Sequence, residues 1–166
     1  QSEPPRAEPP TPTAEVRHFA IPAGVRPDRA EAVEWLLDQE GVTVLVDGYN
    51  LLFNLEPGEF TTGAARKRLG TLMAHFVRKA GLHPIVRIVF DSTLPGHRDT
   101  RWAGPGVEVM FAEADRLADE EIVALAGTTP SPVVVVSSDR EVQEDAARGG
   151  AVVLWSEAFV EWFAGL

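Results

Sequence analysis

The chain contains no cysteine, so neither a disulfide nor a thiolate metal site can form. No stretch approaches the roughly 18 apolar residues that a membrane span requires, and a membrane partner is not expected. Nothing resembles a signal peptide, which makes the cytoplasm the expected location. No Gly-x-x-x-x-Gly-Lys sequence is present to cradle nucleotide phosphates. Lysine does not occur after Lys79, whereas a receiver domain needs one near its last strand. Positive charge is scarce as well: 15 Lys and Arg face 25 Asp and Glu, a formal net charge of −10. A nonspecific electrostatic grip on nucleic acid therefore cannot come from net charge. Of the four histidines, none sits where a metal-free acid–base mechanism requires one, His97 in PGHRDTRW being the loop candidate.

What is there suffices for one domain. The 166 residues are 45% hydrophobic, enough to bury a core. The chain begins with Gln1 rather than Met, as a piece of a longer protein would. Residues 1–24 are rich in Pro, Glu, Ala and Thr and cannot bury enough apolar area to offset their ordering entropy. They read as a disordered, Pro-rich linker or tail in which HFAIP alone offers apolar groups for docking. The domain is expected over 25–166, led by a helix within 27–40 that has Pro27 early and Gly41 at its end.

From Gly41 the sequence alternates apolar runs with helical patterns. Strands are expected at 42–46, 85–90, 107–111, 133–136 and 151–155. Between the first two, Ala65, Leu69, Leu72, Met73 and Phe76 recur at helical spacing. Helices are also expected over 113–127, after Asp139, and from Ser156 to the end. Near-continuous apolar strands separated by helices predict an α/β fold: a five-stranded parallel sheet with helices on both faces.

Three of these strands run into an aspartate. VTVLV ends on Asp47, IVRIVF on Asp91, and VVVVSS on Asp139. In open α/β sheets the carboxyl ends of the strands are where ligands sit. Carboxylates brought together there repel unless a cation lies between them, and Mg²⁺ or Mn²⁺ suits an all-oxygen set. Taken singly, each residue also has a plainer role. Asp47 suits a turn, Asp91 can cap the DSTLPG loop, and Ser138 to Glu141 forms a capping box. A fourth carboxylate, Asp119, lies with Asp115 at the margin of the apolar stripe of the 113–127 pattern. It either points toward the strand ends or belongs to a solvated acidic face with Glu120 and Glu121.

The motifs VDGYN, VFDS, ADEEI and VVSSDRE, in that order over residues 41–155, resemble the NYN domain family of PIN-like ribonucleases, with the bacterial YacP-like subgroup the nearest. The resemblance implies a PIN-like fold and a divalent-metal site that hydrolyses RNA phosphodiesters, with endonucleolytic cleavage of single-stranded RNA expected. It places catalytic and metal-binding roles on Asp47, Asp91, Asp119 and Asp139, and polar site roles on Asn50 and Ser138. Asn50 is expected to orient a water or touch the phosphate, and Ser138 to hydrogen-bond an aspartate. RNA is the implied partner, within a ribosomal or RNA-processing assembly.

RNA must overcome the negative charge locally. Arg66, Lys67 and Arg68 form the densest basic run, and Arg98, Arg101 and Trp102 add cations and an indole in a loop. Such groups suit a single-stranded RNA path, although a solvated helix face and local loop packing would look the same in sequence. Haloacid-dehalogenase-like phosphatases need an Asp two residues beyond the strand-end Asp, and position 49 is Tyr. The remaining rival is an RNA-binding or adaptor module of the same fold with little catalysis.

Overall fold

The computed structural model describes residues 19–166 apart from 82, 92–100, 114, 115 and 131, and describes Arg101 and Trp102 by their backbone alone. The chain runs α1 (Ala30–Leu37), β1 (Thr43–Asp47), α2 (Gly48–Leu55), α3 (Gly63–Lys79), β2 (Ile85–Phe90), β3 (Arg101–Gly104), β4 (Val107–Phe111), α4 (Ala118–Thr128), β5 (Val133–Val136), α5 (Arg140–Arg148), β6 (Val152–Leu154) and α6 (Ser156–Ala164). One sheet has the order β3-β4-β2-β1-β5-β6. All its pairings are parallel except β3 with β4.

Alternation along the strands divides the core. Val44, Val46, Val86, Ile88, Phe90, Val134 and Val136 face one side, where α1, α2, α3 and α6 pack. Leu45, Val89, Val133 and Val135 face the other, under α4 and α5. Both faces are covered, which is why these strands are apolar throughout rather than alternating with polar residues. With β1 central, β2 beside it on one hand and β5 on the other, the carboxyl ends of three neighbouring strands share one edge.

Among the described residues the sheet has six strands, not the five expected. The addition is β3, an antiparallel edge strand that begins where a loop was expected and turns into β4 through Pro105-Gly106. Gly106 has φ +83°, the left-handed conformation that the third residue of such a Pro-Gly turn requires. In α3, a Cβ on Gly70 would stand 2.9 Å from the Ala103 Cβ, so this glycine lets β3 lie close against the helix. Helix α4 begins at Ala118 and reaches Thr128, so Gly127 lies within its last turn rather than closing it.

DGYN is also not a loop. Helix α2 starts on the residue after β1 and buries Leu51 and Leu52, and it is the helix that packs beside β1 on this face. Helix α3 instead lies over β2, β4 and β3. Upstream, Ala32, Val33 and Leu36 of α1 are buried, while Phe19 packs on Trp35 with ring centroids 5.3 Å apart. Trp162 joins the core, whereas Trp155 is 37% exposed because it stands at the N-cap of α6.

Gly48 is what allows a helix to begin directly on the strand. A Cβ at this position would lie 2.3 Å from Cε1 of Phe90. That ring is fully buried and held between Tyr49 and Phe111, at centroid distances of 4.9 and 5.8 Å, so it cannot step aside. Gly48→Ala is therefore expected to lower unfolding free energy by about 1–3 kcal/mol in denaturant titration, the usual cost of overpacking. Gly58→Ala, where a Cβ meets nothing within 4 Å, is the control.

Candidate active site at the carboxyl edge of the sheet

Asp47 is the last residue of β1 and the N-cap of α2. Its carboxylate Oδ2 accepts a hydrogen bond from Ser137 Oγ at 3.1 Å. Ser137, fully buried after β5, also accepts from the Asp139 backbone N–H at 3.1 Å. One hydroxyl thus ties the end of β1 to the β5–α5 turn.

The other carboxylates cap helices. Asp91, just past β2, accepts from the Ala118 N–H at 2.5 Å through Oδ1, supplying α4 with a cap that its own N-cap residue, Leu117, lacks. Asp139 caps α5, its Oδ1 accepting from Glu141 N at 2.9 Å and more weakly from Val142 N. The expected capping box does not form, because the cap is Asp139 and not Ser138 and the residue three positions on is Val142. Asp119 Oδ1 accepts from the Glu120 N–H at 2.9 Å. One oxygen of each of the four is committed to the fold.

Burial raises the Asp47 pKa from 3.8 to about 6; the Ser137 hydroxyl opposes the shift, and the charges of Asp91 and Asp119 add to it. The charges of Asp91 and Asp119 thus reach Asp47, while Asp139 is tied to it through Ser137 by its backbone N–H alone. Among the described residues, no three His, Asp or Glu side chains gather closely enough to hold one metal ion.

Asn50 and Ser138 brace the site from behind. Asn50 Oδ1 accepts from Ser138 N at 2.8 Å and from the buried Ser156 hydroxyl at 2.7 Å, linking α2 to the β5–α5 turn and to α6. Ser138 Oγ donates to Glu157 Oε2 at 2.5 Å and accepts from Ser156 N at 3.1 Å. The serine that meets an aspartate is Ser137, one residue earlier than expected. Side chains alternate across a strand, and from fully buried Val136 this alternation was a signal that could have singled Ser137 out.

The basic residues of α3 separate into two kinds. Arg66 is partly buried; its Nη1 donates to Tyr49 Oη at 3.1 Å and to the Thr61 carbonyl at 2.9 Å, and its guanidinium lies 5.8 Å from the Phe111 ring centroid. Lys67 and Arg68 are exposed, and Arg68 is paired with Glu56. Asp115, His97 and Arg98 lie outside the described residues, as do the side chains of Arg101 and Trp102.

Residues 44–164 match the family model of the YacP-like NYN domain. The chain belongs to the YacP-like NYN domain family. Two crystal structures of Rae1 (YacP) from Bacillus subtilis, one a tryptophan-to-leucine mutant, are similar at 26% identity and a TM-score of 0.59. The likeness covers 74% of this chain and 75% of the mutant or 74% of the other chain. Comparison with curated proteins gives no match. The YacP-like NYN family is one of PIN-like ribonucleases, a class that generally uses divalent metal ions, and its α/β architecture is the one found here. No helix among the described residues is long and apolar enough to cross a membrane.

The raised pKa has a thermodynamic consequence for the metal-free protein. Asp47 titrates at 3.8 when unfolded and near 6 when folded, so the fold disfavours its ionised form. Stability from this group is complete below pH 4, declines as pH rises through 6, and is lost at pH 7. Asp47→Asn keeps an acceptor for Ser137 without the charge. It is expected to exceed wild type in unfolding free energy at pH 7 by up to about 3 kcal/mol. The margin should close toward pH 4, and one that stays constant across this range would contradict the assignment.

Proposed function

We propose that this domain is a divalent-metal-dependent ribonuclease that cleaves unpaired RNA internally at the carboxyl edge of the sheet. The observation that carries the reading is the buried Asp47, in a ribonuclease family, near the charges of Asp91 and Asp119, with no cation among the described residues paired to it.

The donor set suits Mg²⁺ or Mn²⁺ in its chemistry. All the candidate groups are hard carboxylate oxygens, and the accumulated charge that raises the Asp47 pKa is what a cation would relieve. Mg²⁺ typically takes one or two carboxylates and completes its shell with water and substrate phosphate, so three converging side chains are not needed. Asp47 would hold it with Asp91 or Asp119, and Asp139 would act through water. When bound, such an ion supplies an activated water near neutral pH and neutralises charge developing on the phosphate oxygens. Ser137 keeps Asp47 oriented, Asn50 offers its amide toward the phosphate, and Arg66 offers the donors that Tyr49 and Thr61 do not use. We assign Ser138 to bracing rather than to contact with RNA. Lys67, Arg98, Arg101 and Trp102 extend the path for the strand. An acidic domain that grips RNA along one edge is suited to a ribosomal or RNA-processing assembly that supplies further binding surface. Residues 1–24 would be a linker or tail, with Phe19 and Ile21 packed on the core of residues 25–166.

One observation favours the rival, a binding module without catalysis: Asp91 and Asp139 already cap helices. Cleavage decides between them. Wild type is expected to cut labelled RNA with Mn²⁺ and to bind Mn²⁺, whereas Asp47→Asn and Asp139→Asn should remain folded and lose cleavage. A wild type that binds RNA but neither takes up Mn²⁺ nor cuts would establish the rival. Neutralising Arg66, Lys67 and Arg68 together should weaken RNA binding without changing Mn²⁺ affinity. It should also reduce the log–log salt slope by about 0.7 for each phosphate that the variant no longer neutralises.

A further inference from the structure

Beside the carboxylates lies an aromatic cluster that the proposed chemistry does not use. Tyr49 and Phe53 stand four residues apart on α2 and so share one face of it. Phe60, from the segment between α2 and α3, meets both edge-on, at centroid distances of 6.4 Å to Tyr49 and 5.4 Å to Phe53. Tyr49 in turn packs on Phe90, the residue before Asp91. Leu51 and Leu52, on the inward side of the helix, are fully buried. Phe53, by contrast, is 51% exposed, its ring supported by Phe60 and open to solvent. A large apolar ring left exposed on the helix that begins at Asp47 contributes little to the core.

A cation borders this platform. Arg66 is fixed by the Tyr49 hydroxyl and the Thr61 carbonyl, and among the described residues no carboxylate forms an ion pair with it. Because Arg66 donates to Tyr49 Oη, the tyrosine O–H proton remains free to donate outward. A single exposed ring, edged by one immobilised guanidinium and one phenol, matches a single base and its phosphate. A protein partner would call for a broader apolar patch.

We infer that Phe53, supported by Phe60 and Tyr49, is a stacking subsite for one unpaired nucleobase next to the scissile bond, with Arg66 on that nucleotide's phosphate. This rests on reading the domain as a nuclease for unpaired RNA and adds the group that holds the strand beside that bond. Stacking tolerates any base, because every base has a π-face, so the subsite selects unpaired RNA rather than a sequence.

The test uses short unpaired oligoribonucleotides with 2-aminopurine moved along the strand, in EDTA so that nothing is cut. In wild type, fluorescence of the bound strand should be quenched, and at more than one position of the label, because a subsite that takes any base holds the strand in several registers. Phe53→Leu keeps an apolar contact with Phe60 but has no π-face. It should lose the quenching and bind about five- to a hundredfold more weakly, the range for one stacked base, while melting as wild type does. Phe53→Trp should restore both signals. Wild-type affinity and quenching in Phe53→Leu, or no quenching in wild type itself, would overturn the subsite. Failure of the nuclease reading looks different: quenching in EDTA that Phe53→Leu abolishes, yet no cleavage when Mn²⁺ is added.

Discussion

Burying a carboxylate at the end of a central strand costs free energy unless something compensates it, and the carboxyl edge of this sheet is organised around that cost at Asp47. The protein compensates only in part. It supplies the Ser137 hydroxyl and the Asn50 backbone N–H and, among the described residues, sets two further carboxylates nearby rather than a cation. The balance leaves Asp47 with a pKa near 6, a site that gains from positive charge brought by a ligand. Geometry follows from the same residue: α2 must begin at once, Gly48 must lack a side chain, and Phe90 fills the space this leaves.

The four carboxylates do structural work as well. Asp91 reaches across to cap α4 and Asp139 caps α5, so two helices on one face of the sheet are positioned by groups that also belong to the candidate site. Helix ends and site geometry are thereby coupled. A change that loosens the start of α4 also moves the carboxylate at the end of β2. On the opposite face, Asn50 performs the corresponding task, joining α2 to the β5–α5 turn and to α6.

Much of this was legible in the sequence, for reasons that particular residues make clear. Val44 to Val46 and Val133 to Val136 are buried on both faces, and a doubly covered strand is written as an unbroken apolar run. The aspartates stood out because they interrupt such runs. Less legible was anything that depends on a contact distant in sequence. Helix α2 has no linker and takes its N-cap from the strand itself, so DGYN looked like a turn. Strand β3 is short and, with RWAG as its sequence, gains its identity from pairing with β4. Whether Ser137 or Ser138 meets Asp47 depends on the facing of a single peptide, and a role for Ser138 became visible only once Glu157 of α6 was beside it.

The β3–β4 hairpin has a consequence unrelated to chemistry. Without β3, the five residues of β4 would present a regular row of unpaired N–H and C=O groups, a template on which another chain could add. Strand β3 covers that row antiparallel and carries a register shift between Trp102 and Gly104, so the edge it offers in turn is short and irregular. At the other margin, β6 is three residues long. An uninterrupted valine-rich sheet is thereby bounded on both sides by strands poorly shaped for further pairing, which protects it against edge-to-edge aggregation.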